Sequence, residues 1–178
     1  GNISDRGTSD VLADTLLQYG TGAWKYFARG KDGGMDPLTY KTQWYGSDLR
    51  SAWDAAISLN PDGAVPARDS NDPLRALWQW QTDRAVSVTV KACFHKREDG
   101  GDGIDLAIDR NGKPAATKIL TNGQTIISAD IDLAAGDKVQ ISGGPNQTWG
   151  SDHFGLRAKV FKRGAAGTVE CPSWRVVG

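Results

Sequence analysis

The chain has 178 residues, and its 21 lysines and arginines are matched by 21 aspartates and glutamates. That length suits one well-buried core and is short for two. The even balance of charge leaves no general field to gather nucleic acid or anionic lipid, and no apolar run approaches the length of a membrane helix or a secretory h-region.

In chain order, SDVLADTLLQYGTG (9–22) reads as a short helix near the N-terminus, although its aliphatic residues would also suit a β-arm. Ser9 or Asp10 would cap it, Val11, Leu12, Leu16 and Leu17 form the stripe, and Gly20 ends it. From 23 to 69 the residues are irregular and broken by Gly and Pro, which fits short strands, with a helical turn or two over 49–59. After Pro73 the pattern alternates. Leu74, Ala76, Trp78 and Trp80 share one face of a strand, and Arg75, Leu77, Gln79 and Gln81 share the other. VSVTVKACF alternates in the same way. So does GIDLAIDRNGKP, with Ile104, Leu106 and Ile108 inward, Asp105, Ala107 and Asp109 outward, and Asn111-Gly112 as a strong hairpin signal. TIISADIDL, KVQIS and LRAKVFK supply further strands, and 164–178 reads as one more strand or a packed tail. Strands at this spacing without a long amphipathic helix predict an all-β, antiparallel β-sandwich, jelly-roll-like, in a single domain spanning 1–178.

The acidic, glycine-rich REDGGDGIDLAIDRNGKP (97–114) precedes a strand rather than opening a helix, which excludes a phosphate cradle. It lacks the spacing and terminal Glu of an EF-hand, and a solvated turn is the favoured account. Cys93 and Cys171 are the only cysteines. Their separation excludes a C-x-x-C zinc site, while two free thiols and one long-range disulfide fit equally well.

Several segments together resemble a family of non-catalytic β-sandwich domains, taken as carbohydrate-binding modules, of secreted bacterial polysaccharide lyases and glycoside hydrolases. They are WKYF (24–27), an isolated Trp44, RALWQW (75–80), GGDGIDLAIDRNG (100–112), AAGDKVQIS (134–142) and GSDHFGLRAKV (150–160). The resemblance covers about 22–162, with 164–178 as a tail packed on that core. Where the family has His-Pro-Gly before the R-x-W strand, this chain reads VPARDSNDP. The resemblance implies an extracellular, non-catalytic module that attaches a larger secreted enzyme to a polysaccharide.

Sugar recognition calls for an aromatic face against the apolar side of a pyranose and planar polar groups for its hydroxyls. The 7 tryptophans, an excess for this length, make stacking the leading idea. Trp149, in the polar loop PNQTWGSDH, is the first candidate, with Asp152 and His153 beside it as hydrogen-bonding partners. Trp44 and Tyr45 come next. Trp24 and Tyr26 share a strand face, with a core role favoured. Lys25 and Arg29 beside them suit the carboxylates or sulfates of an acidic polysaccharide. Trp78 and Trp80 have core parity, and Trp53 and Trp174 read as packing.

No cofactor is required. Asp152, Asp99 and Asp102 are the candidate ligands of a structural calcium ion. Neither a nucleophile–His–Asp order nor H-E-x-x-H is present, and no carboxylate pair stands out among 21 acids. The expected function is therefore polysaccharide binding without catalysis. The alternatives are a protein–protein interaction module of a cell-surface or enzyme assembly, and a small polysaccharide lyase or hydrolase.

Overall fold

The structure, a computed structural model, describes residues 10–15, 23–30, 33–37, 39–43, 46–50, 58–60, 63–65, 75–98, 100–146, 154–165 and 167–171. Their strands, in chain order, are β1 (Val11–Asp14), β2 (Trp24–Arg29), β3 (Met35–Pro37), β4 (Thr39–Gln43), β5 (Gly46–Arg50), β6 (Ser58–Asn60), β7 (Gly63–Val65), β8 (Arg75–Gln81), β9 (Val86–Lys96), β10 (Ile104–Arg110), β11 (Lys113–Leu120), β12 (Gln124–Leu133), β13 (Lys138–Pro145) and β14 (Phe154–Lys162). One sheet has the order β12-β9-β14-β7-β6-β5-β4, with β1 also paired to β14, and the other has the order β11-β10-β13-β8-β2-β3. Every pairing is antiparallel. The fold is an antiparallel β-sandwich.

Alternation builds the core. Ala76, Trp78 and Trp80 of β8, Ile104, Leu106 and Ile108 of β10, and Val139 and Ile141 of β13 line the inner face of the second sheet. Val88, Val90, Ala92 and Phe94 of β9 meet them from the first sheet, with Ile127, Ala129, Ile131 and Leu133 of β12 and Leu156, Ala158 and Val160 of β14. Phe154 joins the layers, its ring centroid 6.0 Å from that of Trp78 and 5.7 Å from that of Phe94, both tilted. Gly143 on β13 makes room for it, because a Cβ there would lie 2.5 Å from Phe154 Cζ. At the β10–β11 hairpin, Asn111 and Gly112 both take positive φ, 51° and 80°. Two consecutive positive φ values are what a tight hairpin following the twist of its strands demands.

One local expectation is corrected. Val11–Asp14 is a strand, not a helix: Val11 lies opposite Phe161 and Ala13 opposite Val160, and Ala13 is buried in the core. A β-branched residue and an open edge on β14 favour pairing there over the weak local capping signal. Within 49–59 the two ends are strand, Leu49 of β5 pairing with Leu59 of β6, while 51–57, where a helical turn was expected, lie outside the described residues.

The tail crosses the outer side of the first sheet. Lys91 Nζ donates to Gly167 O at 2.8 Å, Gly167 sits where a Cβ would strike the Phe161 ring, and Cys171 is disulfide-bonded to Cys93, a sequence separation of 78. A cross-link closing a long loop restricts the unfolded chain, an effect of about 2–4 kcal/mol. Cys171→Ala should therefore lower the urea midpoint and steepen the slope, because the uncross-linked chain unfolds to a more expanded state, and an unchanged midpoint would show that the cross-link contributes nothing to stability.

Candidate binding groove

The strands that present the indoles inward present amides outward. Gln79 of β8 lies level with Lys25 of β2 on one side and Gln140 of β13 on the other, and Gln140 lies level with Asp109 of β10. Four residues on from Lys25, Arg29 shares that face. On a flat sheet Arg29 and Asp109 would be roughly 20 Å apart, being three strands and four residues out of line. Instead Arg29 Nη1 donates to Asp109 Oδ2 at 2.7 Å, and its Nη2 donates to Gly112 O at 3.3 Å. The two side chains span much of that distance, and coiling of the sheet through accumulated right-handed strand twist accounts for the rest.

Two adjoining clefts result. One, of about 520 Å³, is lined by Arg29, Met35, Gln79, Asn111, Lys138 and Gln140 together with glycines of the surrounding turns. The other, of about 430 Å³, is lined by Ala23, Lys25, Phe27, Gln79, Gln81 and Lys138. Gln79 and Lys138 belong to both, so the clefts form one groove across β13, β8 and β2.

Its floor is held by hydrogen bonds. Gly112 N donates to Gln140 Oε1 at 2.9 Å, and Gln140 Nε2 donates to Gln79 Oε1 at 2.9 Å. With Oε1 so engaged, the amide nitrogen is the donor end of the Gln79 side chain. Gln81 Nε2 donates to Gly136 O at 3.0 Å, which leaves Gln81 Oε1 as an acceptor. One end of the groove is tied down by Asp137, which takes hydrogen bonds from Ala134 N, Asn111 Nδ2 and the Arg110 guanidinium. These bonds, the Ala134 amide foremost, hold the Asp137 carboxyl at about 2, below its ordinary 3.8. Asn111 Oδ1 in turn accepts from Lys138 N at 2.8 Å.

A second polar cluster lies lower on the same face. Arg75 donates to Ser142 Oγ at 2.9 Å, to Asp105 Oδ2 at 2.8 Å and to Asp105 O at 2.7 Å. Asp109, expected on a solvated outer face, is only 3% exposed. Its Oδ2 is paired with Arg29, and its Oδ1 is a buried oxygen without a partner among the described residues.

Of the site residues expected from sequence, Lys25 and Arg29 line the groove. Trp24 does not serve as a stacking surface: it is 3% exposed and faces Trp80 across the β2–β8 pairing, inside the core. Tyr26 packs against the same core opposite Trp78. Trp78 and Trp80 are core residues, as their parity implied. Trp44, Tyr45, Trp53, Trp149, Asp152, His153, Trp174 and Asp99 lie outside the described residues.

Among the described residues no group of three or more His, Cys, Asp or Glu gathers as metal ligands. Asp102 O accepts a hydrogen bond from Asn146 Nδ2 at 3.0 Å, and the neighbouring loop carbonyls of Glu98 and Gly100 accept from the buried Lys96 ammonium. Phe27, Gln79, Gln81, Lys138 and Gln140 were not picked out from sequence as site residues. Their signal was the outward half of the alternation whose inward half was read as core.

No protein-family model and no curated protein matches the chain. Among solved structures it is similar to a family 35 carbohydrate-binding module from Cellvibrio japonicus Abf62, at 16% identity and a TM-score of 0.39, covering 90% of this chain and 99% of that one. It is also similar to a family 35 carbohydrate-binding module from Clostridium thermocellum, at 12% identity and a TM-score of 0.37, covering 79% and 99%. Rabbit GITRL matches at 6% identity and a TM-score of 0.35, covering 77% and 93%. At these scores the likenesses assign no ligand, and the sandwich stands on the strand pairing itself.

Removing Arg29 would leave the buried Asp109 carboxylate uncompensated. With the Arg29 side chain 21% exposed, Arg29→Met should cost about 1–3 kcal/mol by urea unfolding. Adding Asp109→Asn should recover part of that loss; no recovery would mean that the ion pair is not the cause. For Asp137 the sign follows from its lowered value. Its stabilisation is complete above 3.8 and disappears as the pH falls through about 2. Asp137→Asn should flatten the acid limb of a Tm-against-pH curve in that window, and an identical acid limb in both proteins would contradict the assignment.

Proposed function

We propose that this chain is a carbohydrate-binding module that holds a polysaccharide, an acidic one, in the groove across β13, β8 and β2. The carrying observation is the groove's lining: the amides Gln79, Gln81 and Gln140, fixed by hydrogen bonds, with Lys25 and Lys138 at its edges. Pre-oriented amide groups match the close-set donors and acceptors of sugar hydroxyls, and they need no ordering when the ligand arrives. Phe27 supplies an apolar surface for a pyranose C–H face, and the ammonium groups suit carboxylate or sulfate.

The module acts without catalysis and needs no cofactor in the groove. A calcium ion on Asp102 with Asp99 and Asp152 would have a structural role. In this reading the chain is one domain that keeps a secreted polysaccharide-degrading enzyme at its polymer. The Cys93–Cys171 disulfide supports an extracellular setting.

Affinity electrophoresis through gels containing neutral or acidic polysaccharides tests this. Wild-type protein should be retarded by at least one acidic polymer. Gln79→Ala should weaken the retardation by about 10-fold, the loss of one or two hydrogen bonds, at an unchanged circular dichroism spectrum. Failure of every polymer to retard the wild-type protein would refute the proposal.

A further inference from the structure

Two cations of the groove pair with no acid among the described residues, and they stand on strands two apart. Lys138 stands level with Gln81 on β13, and Lys25 stands level with Gln79 on β2, so β8 runs between them. Two strand spacings and one two-residue step put their Cα atoms on the order of 10 Å apart, and the flexible four-carbon stems let the ammonium groups reach anions spaced about a disaccharide apart. Arg29, the third cation, is already neutralised by Asp109. The ammonium groups of Lys25 and Lys138 have no such counter-charge among the described residues, and both line the cleft whose floor is Gln79 and Gln81. A saccharide lying across β8 would therefore meet a cation, then amide groups, then a second cation.

We infer that the groove selects a polysaccharide whose carboxylate or sulfate groups recur on every second sugar, with the intervening uncharged sugar held over Gln79 and Gln81. This rests on the groove being the saccharide site. It adds the spacing of the charge and a separate role for each lysine. Charge on every sugar would place an anion over the amide floor, where Gln79 offers one donor and no cation sits directly beneath. A neutral polymer would leave both ammonium groups without a partner.

The test is titration calorimetry of the full chain with hyaluronan and chondroitin fragments, in which carboxylates fall on every second sugar. The comparison ligands are carboxyl-reduced hyaluronan and polygalacturonate, the latter charged on every sugar. At least one alternating polymer should bind more tightly than both comparison ligands. Lys25→Met and Lys138→Met should each weaken it by about 10-fold, and the double variant by about the product, because each lysine meets a different anion. Tighter binding of polygalacturonate or of the reduced polymer overturns the inference, as does an alternating polymer that ignores both lysines. In those cases sensitivity to Gln79→Ala would keep the groove as the saccharide site. If no saccharide of any kind binds, the groove reading itself falls, and the inference with it.

Discussion

The placement of Trp78 and Trp80 is the constraint from which the groove follows. Both indoles lie in the core, and Phe154 from the opposite sheet packs against Trp78 in space that Gly143 leaves open. A strand that sends these residues inward must send Gln79 and Gln81 outward, because its side chains alternate with period two. β13 obeys the same rule, with Val139 and Ile141 inward and Lys138, Gln140 and Ser142 outward. Pairing in that register sets Gln79 beside Gln140, close enough to bond. A slip of one residue would exchange indoles for amides, which the core cannot accept. The chemistry of the outer face is thus fixed by apolar packing on the inner one.

That outer face is not an ordinary wetted surface. Gln79, Gln140, Ser142 and Asp109 are all buried, and all four make a side-chain hydrogen bond or ion pair within the layer, Asp109 through Oδ2 alone. Buried polar groups are costly when unpaired and rigid when paired. The charged side chains divide the labour. Arg29 and Arg75 are held by Asp109 and Asp105 and act as struts. Lys25 and Lys138 pair with no acid among the described residues and line the cleft.

Much of this was legible in the alternation of 75–81, 86–93, 104–109 and 138–142 and in the Asn111-Gly112 turn, since local residue order alone sets both features. The β1 strand was not, because Val11–Asp14 becomes extended by pairing with β14, some 150 residues away in sequence. The groove was half legible: Gln79 and Gln81 were placed on the outer face, but nothing local says that Gln140 lies beside Gln79. The Arg29–Asp109 bridge was hidden altogether, since it depends on how far the sheet coils. The tryptophan excess pointed toward exposed rings. The three that the structure describes, Trp24, Trp78 and Trp80, are all buried, and Trp24 owes its place to lying opposite Trp80.

The neutral net charge bears on how such a groove would work. With 21 charges of each sign there is no long-range field to draw a polyanion toward the protein, so any preference for acid must come from local contacts. Lys25 is exposed and Lys138 half-buried, and ammonium groups in contact with water supply little attraction singly. They become selective when the floor between them already fixes where the sugar lies, because a charge at the wrong spacing then gains nothing. In the proposed reading, rigid amides and lysines therefore depend on one another: the amides would set the position of the chain, the lysines would test its charge at two points, and a polymer with many repeats would offer the groove many equivalent places to bind.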